Sequence, residues 1–390
     1  MTARALERPR TEPVPQVDWE RAVYTVLVSR ALDELEESRL LPERKVLYQF
    51  TARGHDVTQA LLGQMLTGAR DGVGVYYRSR PLMLALGLTV EDALASTMMR
   101  SGSVSQGRDI GVVFNLPRRE GPCVLPACGG VGAQYTPAVG WAQSLQYRAQ
   151  VLRDESVAGS IAVAHGGEAS AATNGFWAAL TIATTQRLPM LFFLEDNGYG
   201  ISVKSEFQTP GGNIAANLAA FRNLKILEGD SANPRAAAAT IESGIAAVRN
   251  GDGPVLLRLL VPRLSGHSGQ DTQAYKSADE SAAERSRDPL VRLREQLVPA
   301  TISEESWRTI ETRAREDVQR ALGTVERRPV PDVANVTRYA FSEVSADGAA
   351  DVQQQGGLLS EGIEPREGTH VVHAEGARIN MVTAIRRPSS

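Results

Sequence analysis

Residues 161–202, IAVAHGGEASAATNGFWAALTIATTQRLPMLFFLEDNGYGIS, constrain the fold more than any other part of the chain. Two short apolar runs, 160–164 and 189–194, each end in a polar cluster. The first cluster is His165-Gly166-Gly167-Glu168 and the second is Glu195-Asp196-Asn197-Gly198. An Ala-rich segment of helical length lies between them. The pattern is strand, crossover helix, strand, and such a crossover returns the chain in the same direction, so the two strands are parallel. Both clusters then fall at the carboxyl edge of one sheet, where open α/β sheets bind ligands. Glu168 and Asn197, remote in sequence, become neighbours there and offer hard oxygens to a small divalent cation. The glycines and a helix start near Ser170 let backbone N–H groups approach a phosphate.

The rest of the chain extends this unit. Val23, Val26, Leu27, Ala31, Leu32 and Leu35 recur at helical spacing between Asp18 and Leu40. A second helix is expected over 57–68, and Thr89 caps a third. Residues 71–80, DGVGVYYRSR, read as a turn with two adjacent tyrosines, and 121–134 read as a loop. A helix follows from about Pro137 to Arg153. Asn233 and Pro234 open another that ends near Gly251. PVLLRLLV, 254–261, reads as a buried parallel strand. Trp307, Ile310, Ala314, Val318 and Leu322 mark an amphipathic helix over 303–323. Alternating strands and helices up to residue 300 predict one doubly wound α/β domain, a mainly parallel twisted sheet with helices on both faces. The expected organisation is a disordered arm (1–15), this domain (16–326), a linker rich in Pro, Gln and Gly (327–378), and a short amphipathic stretch, INMVTAIRR, within 379–390.

Composition narrows the function classes. Lys and Arg number 42 against 45 Asp and Glu, so no basic surplus points to nucleic acid. The longest apolar runs, such as LPMLFFL at 188–194, are too short to span a bilayer. The N-terminus carries Glu7, Pro9, Glu12, Pro13 and Pro15 where a signal peptide needs an apolar core. Cys123 and Cys128 lack a second pair for a zinc site and read as reduced thiols, in keeping with a cytoplasmic protein. No Gly-x-x-x-x-Gly-Lys is present, which removes the P-loop nucleotide reading.

The Gly167-Glu168-Ala169 … Asn197 arrangement resembles the metal–diphosphate motif of thiamine-diphosphate enzymes, with Glu168 where Asp is usual and Ala169 where a third glycine is usual. Over roughly residues 45–295 the chain resembles the alpha subunit of the dehydrogenase component of 2-oxo acid dehydrogenase complexes, most of all the branched-chain type. The resemblance implies thiamine diphosphate and Mg2+ as cofactors. It implies Glu168, Asn197 and the Tyr199 carbonyl as metal ligands. Gly167, Ala169 and Ser170 lie in the same motif. Tyr77 and Arg78 match a pair that holds the diphosphate, a task suited to the planar fork of Arg. Gly129, Val131 and Gln134 match the segment that cradles the aminopyrimidine ring. His267, in Leu264-Ser265-Gly266-His267-Ser268 and followed by Asp271, Tyr275 and Lys276, matches the active-site loop, where the histidine meets the diphosphate and aids acyl transfer. His165 is a second catalytic candidate near the thiazolium. His55 reads as structural, and Ser268 matches a serine phosphorylated in some relatives. Some branched-chain relatives carry an Arg at the position of Glu195 that touches the diphosphate, so that contact is expected to be lost or supplied from elsewhere.

The implied activity is oxidative decarboxylation of a 2-oxo acid, such as 3-methyl-2-oxobutanoate, with acyl transfer to lipoyl groups. Pyruvate and acetoin dehydrogenase alpha subunits are the alternatives within the class. The implied partners are a beta subunit, in an α2β2 assembly, and a lipoyl-bearing acyltransferase core. The activating glutamate is expected from the beta subunit. Residues 379–387 resemble the opening of a beta subunit. A different reading is therefore a truncated, inactive remnant of a fused alpha–beta chain, acting only as a binding module.

Overall fold

The computed structural model describes residues 16–108, 116 and 121–336. The N-terminal arm and the beta-like stretch within 379–390 lie outside the described residues, as does most of the linker. Contacts group the chain up to Val333 into one unit and Ala334–Ser390 into a second. Everything below concerns the first.

Among the described residues eight strands occur in order: β1 (Gly72–Gly74), β2 (Cys123–Val124), β3 (Ala162–Gly167), β4 (Met190–Asp196), β5 (Tyr199–Gly200), β6 (Val203–Lys204), β7 (Lys225–Asp230) and β8 (Val255–Leu260). Six of them form one sheet in the order β2-β1-β3-β4-β8-β7, with every neighbouring pair parallel. β5 and β6 make a separate antiparallel hairpin. The helices, in chain order, are α1 (Trp19–Leu35), α2 (Asp56–Met65), α3 (Arg80–Ala85), α4 (Val90–Thr97), α5 (Tyr135–Gln150), α6 (Asn174–Gln186), α7 (Ile214–Asn217), α8 (Pro234–Arg249), α9 (Ala278–Ser286), α10 (Pro289–Leu297) and α11 (Glu304–Val325).

The period-two alternation of the central strands sorts their side chains between two cores. Val163, Leu191, Phe193, Leu257 and Leu259 pack with residues of α1, α2, α8 and α11. Ala162, Ala164, Phe192, Leu194 and Leu256 pack with residues of α5 and α6 on the other face. Both faces are thus covered, as the strand–helix–strand pattern predicts. Each fully buried Phe or Leu in these layers contributes roughly 1.5–3 kcal/mol.

Local sequence sets the ends of the central unit. Thr173 caps α6 by accepting from the Phe176 N–H. Arg187 then takes a left-handed conformation (φ 53°) and stops the helix just before Pro189. The regular helix starts at Asn174, after a 3-10 turn over Glu168–Ala172, rather than near Ser170. Two further stretches differ from expectation. The turn-like 71–80 contains β1, and the loop at 121–134 opens with β2. Both strands are too short to leave a periodic signature. Among the described residues no helix is long and apolar enough to cross a membrane. Cys123 is half-buried and Cys128 exposed, and both are free thiols.

Candidate functional site

β3 and β4 pair with His165 level with Phe193 and Gly167 level with Glu195, which brings both polar clusters to one carboxyl edge. The Asn197 N–H donates to Glu168 Oε2 at 3.3 Å. Glu168 is buried at 3% exposure, and its other oxygen, Oε1, has no protein partner. Burial first, then the charge of Asp196, pushes its carboxyl up to about 8. Asp196 itself is held by Arg258 at 2.6 Å. Gly198 takes φ +77°, which suits glycine, and its N–H donates to Asp196 Oδ1. The Tyr199 N–H donates to Asn197 Oδ1 at 3.0 Å.

These contacts test whether a cation suits the edge. Among the described residues no three His, Cys, Asp or Glu side chains converge as a metal cluster of their own. The Glu168–Asn197–Tyr199 set has a single carboxylate, so it suits a cation whose shell is completed by ligand oxygens. Burial keeps the Glu168 carboxyl largely protonated on its own, and its unpartnered oxygen leaves an acceptor that a cation would use on ionising it. The residues therefore fit a magnesium-like ion bound together with a phosphate group.

The neighbouring candidates line the same edge. Ser170 Oγ donates to the Gly167 carbonyl at 2.5 Å and meets Tyr135 Oη at 2.6 Å. A Cβ on Gly200 would come within 2.7 Å of the Ala169 methyl, so Ala169 packs over the β5 backbone. Gln134 Nε2 donates to the His165 carbonyl at 3.0 Å. Gly129 and Val131 are the two candidates left at the surface: space is open around Gly129, and Val131 is 57% exposed.

A second group forms around Arg78. Its guanidinium donates to the carbonyls of Thr51 and His267 and lies beside the rings of Phe50 and Tyr77. His267 stands edge-on to Phe50 and Tyr77, with centroids 5.3 and 5.6 Å away. Its N–H donates to Asp271 Oδ2 at 2.6 Å, which fixes the loop. Burial, then Arg78 and Arg263, brings the imidazole down to about 4, so it is neutral at working pH. Tyr77, Arg78 and His267 thus form one cluster.

His165 and Glu195 are buried in one hydrogen-bonded pair. His165 is fully buried, with Nε2 on Glu195 at 3.0 Å and Nδ1 on Ser79 at 2.9 Å. Both ring nitrogens of this second catalytic candidate are engaged within the protein. Glu195 is bonded by side chains of the protein alone among the described residues. The strand alternation turns it to the α2 side together with Phe193. Burial alone would raise its carboxyl, but His165, His55 and their hydrogen bonds hold it well below the usual range.

Sequence reasoning passed over Arg263 and Tyr76. Arg263 is buried just past β8, its Nε lacks a partner, and its charge acts on Glu168. Its place three residues beyond a buried strand's carboxyl end was the available signal. Tyr76 packs edge-on against His165 at 4.9 Å, and burial first, then Glu195, raises its phenol well above the ordinary value.

The family model for the dehydrogenase E1 component matches residues 26–334. The chain is 24% identical over 280 residues to the pyruvate dehydrogenase E1 component subunit alpha of Porphyra purpurea, covering 71% of this chain and 80% of that one. The protein of the same name from Zymomonas mobilis is 26% identical over 281 residues, 71% of this chain and 75% of that one. The one from Staphylococcus epidermidis is 26% identical over 329 residues, 83% of this chain and 81% of that one. The chain belongs to the dehydrogenase E1 component family, as an alpha subunit of the thiamine-diphosphate-dependent 2-oxo acid dehydrogenases.

Proposed function

We propose that the chain is the alpha half of an E1 active site, which decarboxylates a small 2-oxo acid and passes the acyl group to a lipoyl arm. The observation that carries this reading is Glu168: a buried carboxylate with one orphaned oxygen, at a parallel-sheet edge, beside Asn197. Glu168, Asn197 and the Tyr199 carbonyl would hold Mg2+. Tyr77, Arg78, Gly167, Ala169 and Ser170 would hold the diphosphate, and Gly129, Val131 and Gln134 the aminopyrimidine. When bound, thiamine diphosphate supplies an electron sink for loss of carbon dioxide next to a ketone. The chain's own work is to place charge and exclude water. Arg78 and Arg263 set a positive field at this edge, which favours an anionic ligand. His267, neutral and half-buried, can accept a proton at a ring nitrogen.

The substrate reading has two candidates. The names of the relatives favour pyruvate. The motif resemblance favours a branched-chain acid such as 3-methyl-2-oxobutanoate. A beta subunit in an α2β2 assembly would supply the activating glutamate, with a lipoyl-bearing acyltransferase as acceptor. Residues 16–326 would form the subunit proper and 327–378 a linker. The test is 2-oxo-acid-dependent dye reduction by the chain with its beta subunit, comparing pyruvate with 3-methyl-2-oxobutanoate. A preference of tenfold or more in kcat/KM assigns the substrate. No turnover of either acid, with thiamine diphosphate bound, would favour the binding-module reading.

A further inference from the structure

Glu195 sits at the centre of a buried hydrogen-bond cluster that the chemistry above leaves unused. Four donors, from α2 with its cap residue and from β3, converge on its carboxylate. They are His55 Nδ1 at 2.9 Å, His165 Nε2 at 3.0 Å, Gln59 Nε2 at 2.9 Å and Thr58 Oγ1 at 2.6 Å. A carboxylate is acceptor-only and can satisfy four donors, which no neutral side chain of its size does. The cluster reaches the candidate site in two directions. Gln59 Nε2 also donates to the Arg78 carbonyl at 3.1 Å, on the turn that carries Tyr77 and Arg78. His55 Nε2 meets Asn197 Nδ2 at 3.2 Å.

Hydrogen-bond accounting fixes the roles along the second path. The Tyr199 N–H points at the Asn197 side chain, so oxygen must face it and nitrogen must face His55. Asn197 Nδ2 therefore donates, and His55 Nε2 accepts. The remaining proton of the imidazole then sits on Nδ1 and is donated to Glu195. Gly54, at φ +93°, seats His55 here: a Cβ at that position would lie 2.0 Å from the Pro262 carbonyl oxygen.

We propose that Glu195 and His55 are positioning residues for the cation–diphosphate site. The buried carboxylate selects the Nδ1–H tautomer of His55. That tautomer holds the Asn197 amide with its oxygen turned toward the Tyr199 N–H. The inference rests on the reading that thiamine diphosphate and Mg2+ bind at this edge. Outer partners of this kind commonly set the affinity of a metal site by orienting its ligands.

The test is a calorimetric titration of thiamine diphosphate at fixed Mg2+ into the full chain together with its beta subunit. The variants are His55→Phe, which keeps a ring and removes both nitrogens, Asn197→Ala, and the two combined. The expected result is a loss of affinity of about tenfold or more for His55→Phe, within the range seen for outer-partner substitutions. In the Asn197→Ala background the same change should alter affinity less than twofold, because the group it positions is gone. Glu195→Gln, isosteric but a poorer acceptor, serves as the second variant and should behave like His55→Phe if that one fails to fold. Wild-type affinity in a folded His55→Phe or Glu195→Gln would overturn the inference. An equal loss with and without Asn197 would also overturn it, since the cluster would then act only through general stability. Absence of binding by the wild type is a different outcome: it defeats the cofactor reading on which the inference stands.

Discussion

Arg80 opens α3 two residues after Arg78 and offers the sharpest stability prediction. It is 4% exposed and pairs with Glu36 Oε1 at 2.7 Å and with Asp33. Asp33 also accepts from Thr51 Oγ1 at 2.7 Å. Both carboxylates are at 0% exposure, on α1 and on the π-helical turn Glu36–Leu40 that continues it. Arg80→Met keeps the apolar stem and removes the charge. Two carboxylates are then left dry, one of them with only the Thr51 hydroxyl. Removing one partner of a buried pair costs about 3–5 kcal/mol. We take about 4 kcal/mol, since Thr51 remains and Glu36 already has one unpartnered oxygen. At roughly 2 °C per kcal/mol for a domain of this size, Tm falls by roughly 8 °C. The assay is urea denaturation at pH 7 followed by circular dichroism, with Arg80→Met compared with Arg80→Met/Asp33→Leu/Glu36→Leu. The triple variant, which removes the whole ion network, should recover most of the loss. A single-variant cost below about 1 kcal/mol, or a triple variant no better than the single, would refute the reasoning.

Two further outcomes follow from the geometry. Gly54→Ala should cost roughly 2 kcal/mol or more, because it combines a left-handed backbone with a clash against the Pro262 carbonyl; a Tm equal to wild type would contradict this. The folded pKa of His267, about 4, lies below its ordinary 6.5, so the unfolded chain binds more protons between those values. Its contribution to stability is complete above pH 6.5 and is lost as pH falls toward 4. Stability measured across that window should fall less steeply for His267→Gln than for the wild type.

Much of this architecture was legible in the sequence because it rests on local rules. The β3–α6–β4 unit follows from two apolar runs around an Ala-rich segment. The Asn233 cap with Pro234 at the start of α8 and the Thr89 cap of α4 follow from side-chain chemistry at helix starts. Short strands were not legible: Gly72-Val73-Gly74 pairs with β2 and β3 by tertiary placement alone. In the site, grouping Glu168 with Asn197 needed only the parallel crossover. The direction of Glu195 could not be read, because β4 is buried on both faces and its composition does not tell which parity faces α2. His55 reads as structural in the sequence, but its partners could not be read for a related reason. Its two partners, Glu195 and Asn197, lie 140 and 142 residues away in sequence.

The central claim is that the edge formed by Glu168 and Asn197 holds a diphosphate together with a cation. The most direct measurement is calorimetric titration of thiamine diphosphate into the chain with its beta subunit, with and without Mg2+, for the wild type and Glu168→Ala. The account predicts saturable binding that requires Mg2+ in the wild type and is lost, or weakened by a hundredfold or more, in Glu168→Ala. Binding of equal strength without Mg2+, or unchanged by Glu168→Ala, would contradict it.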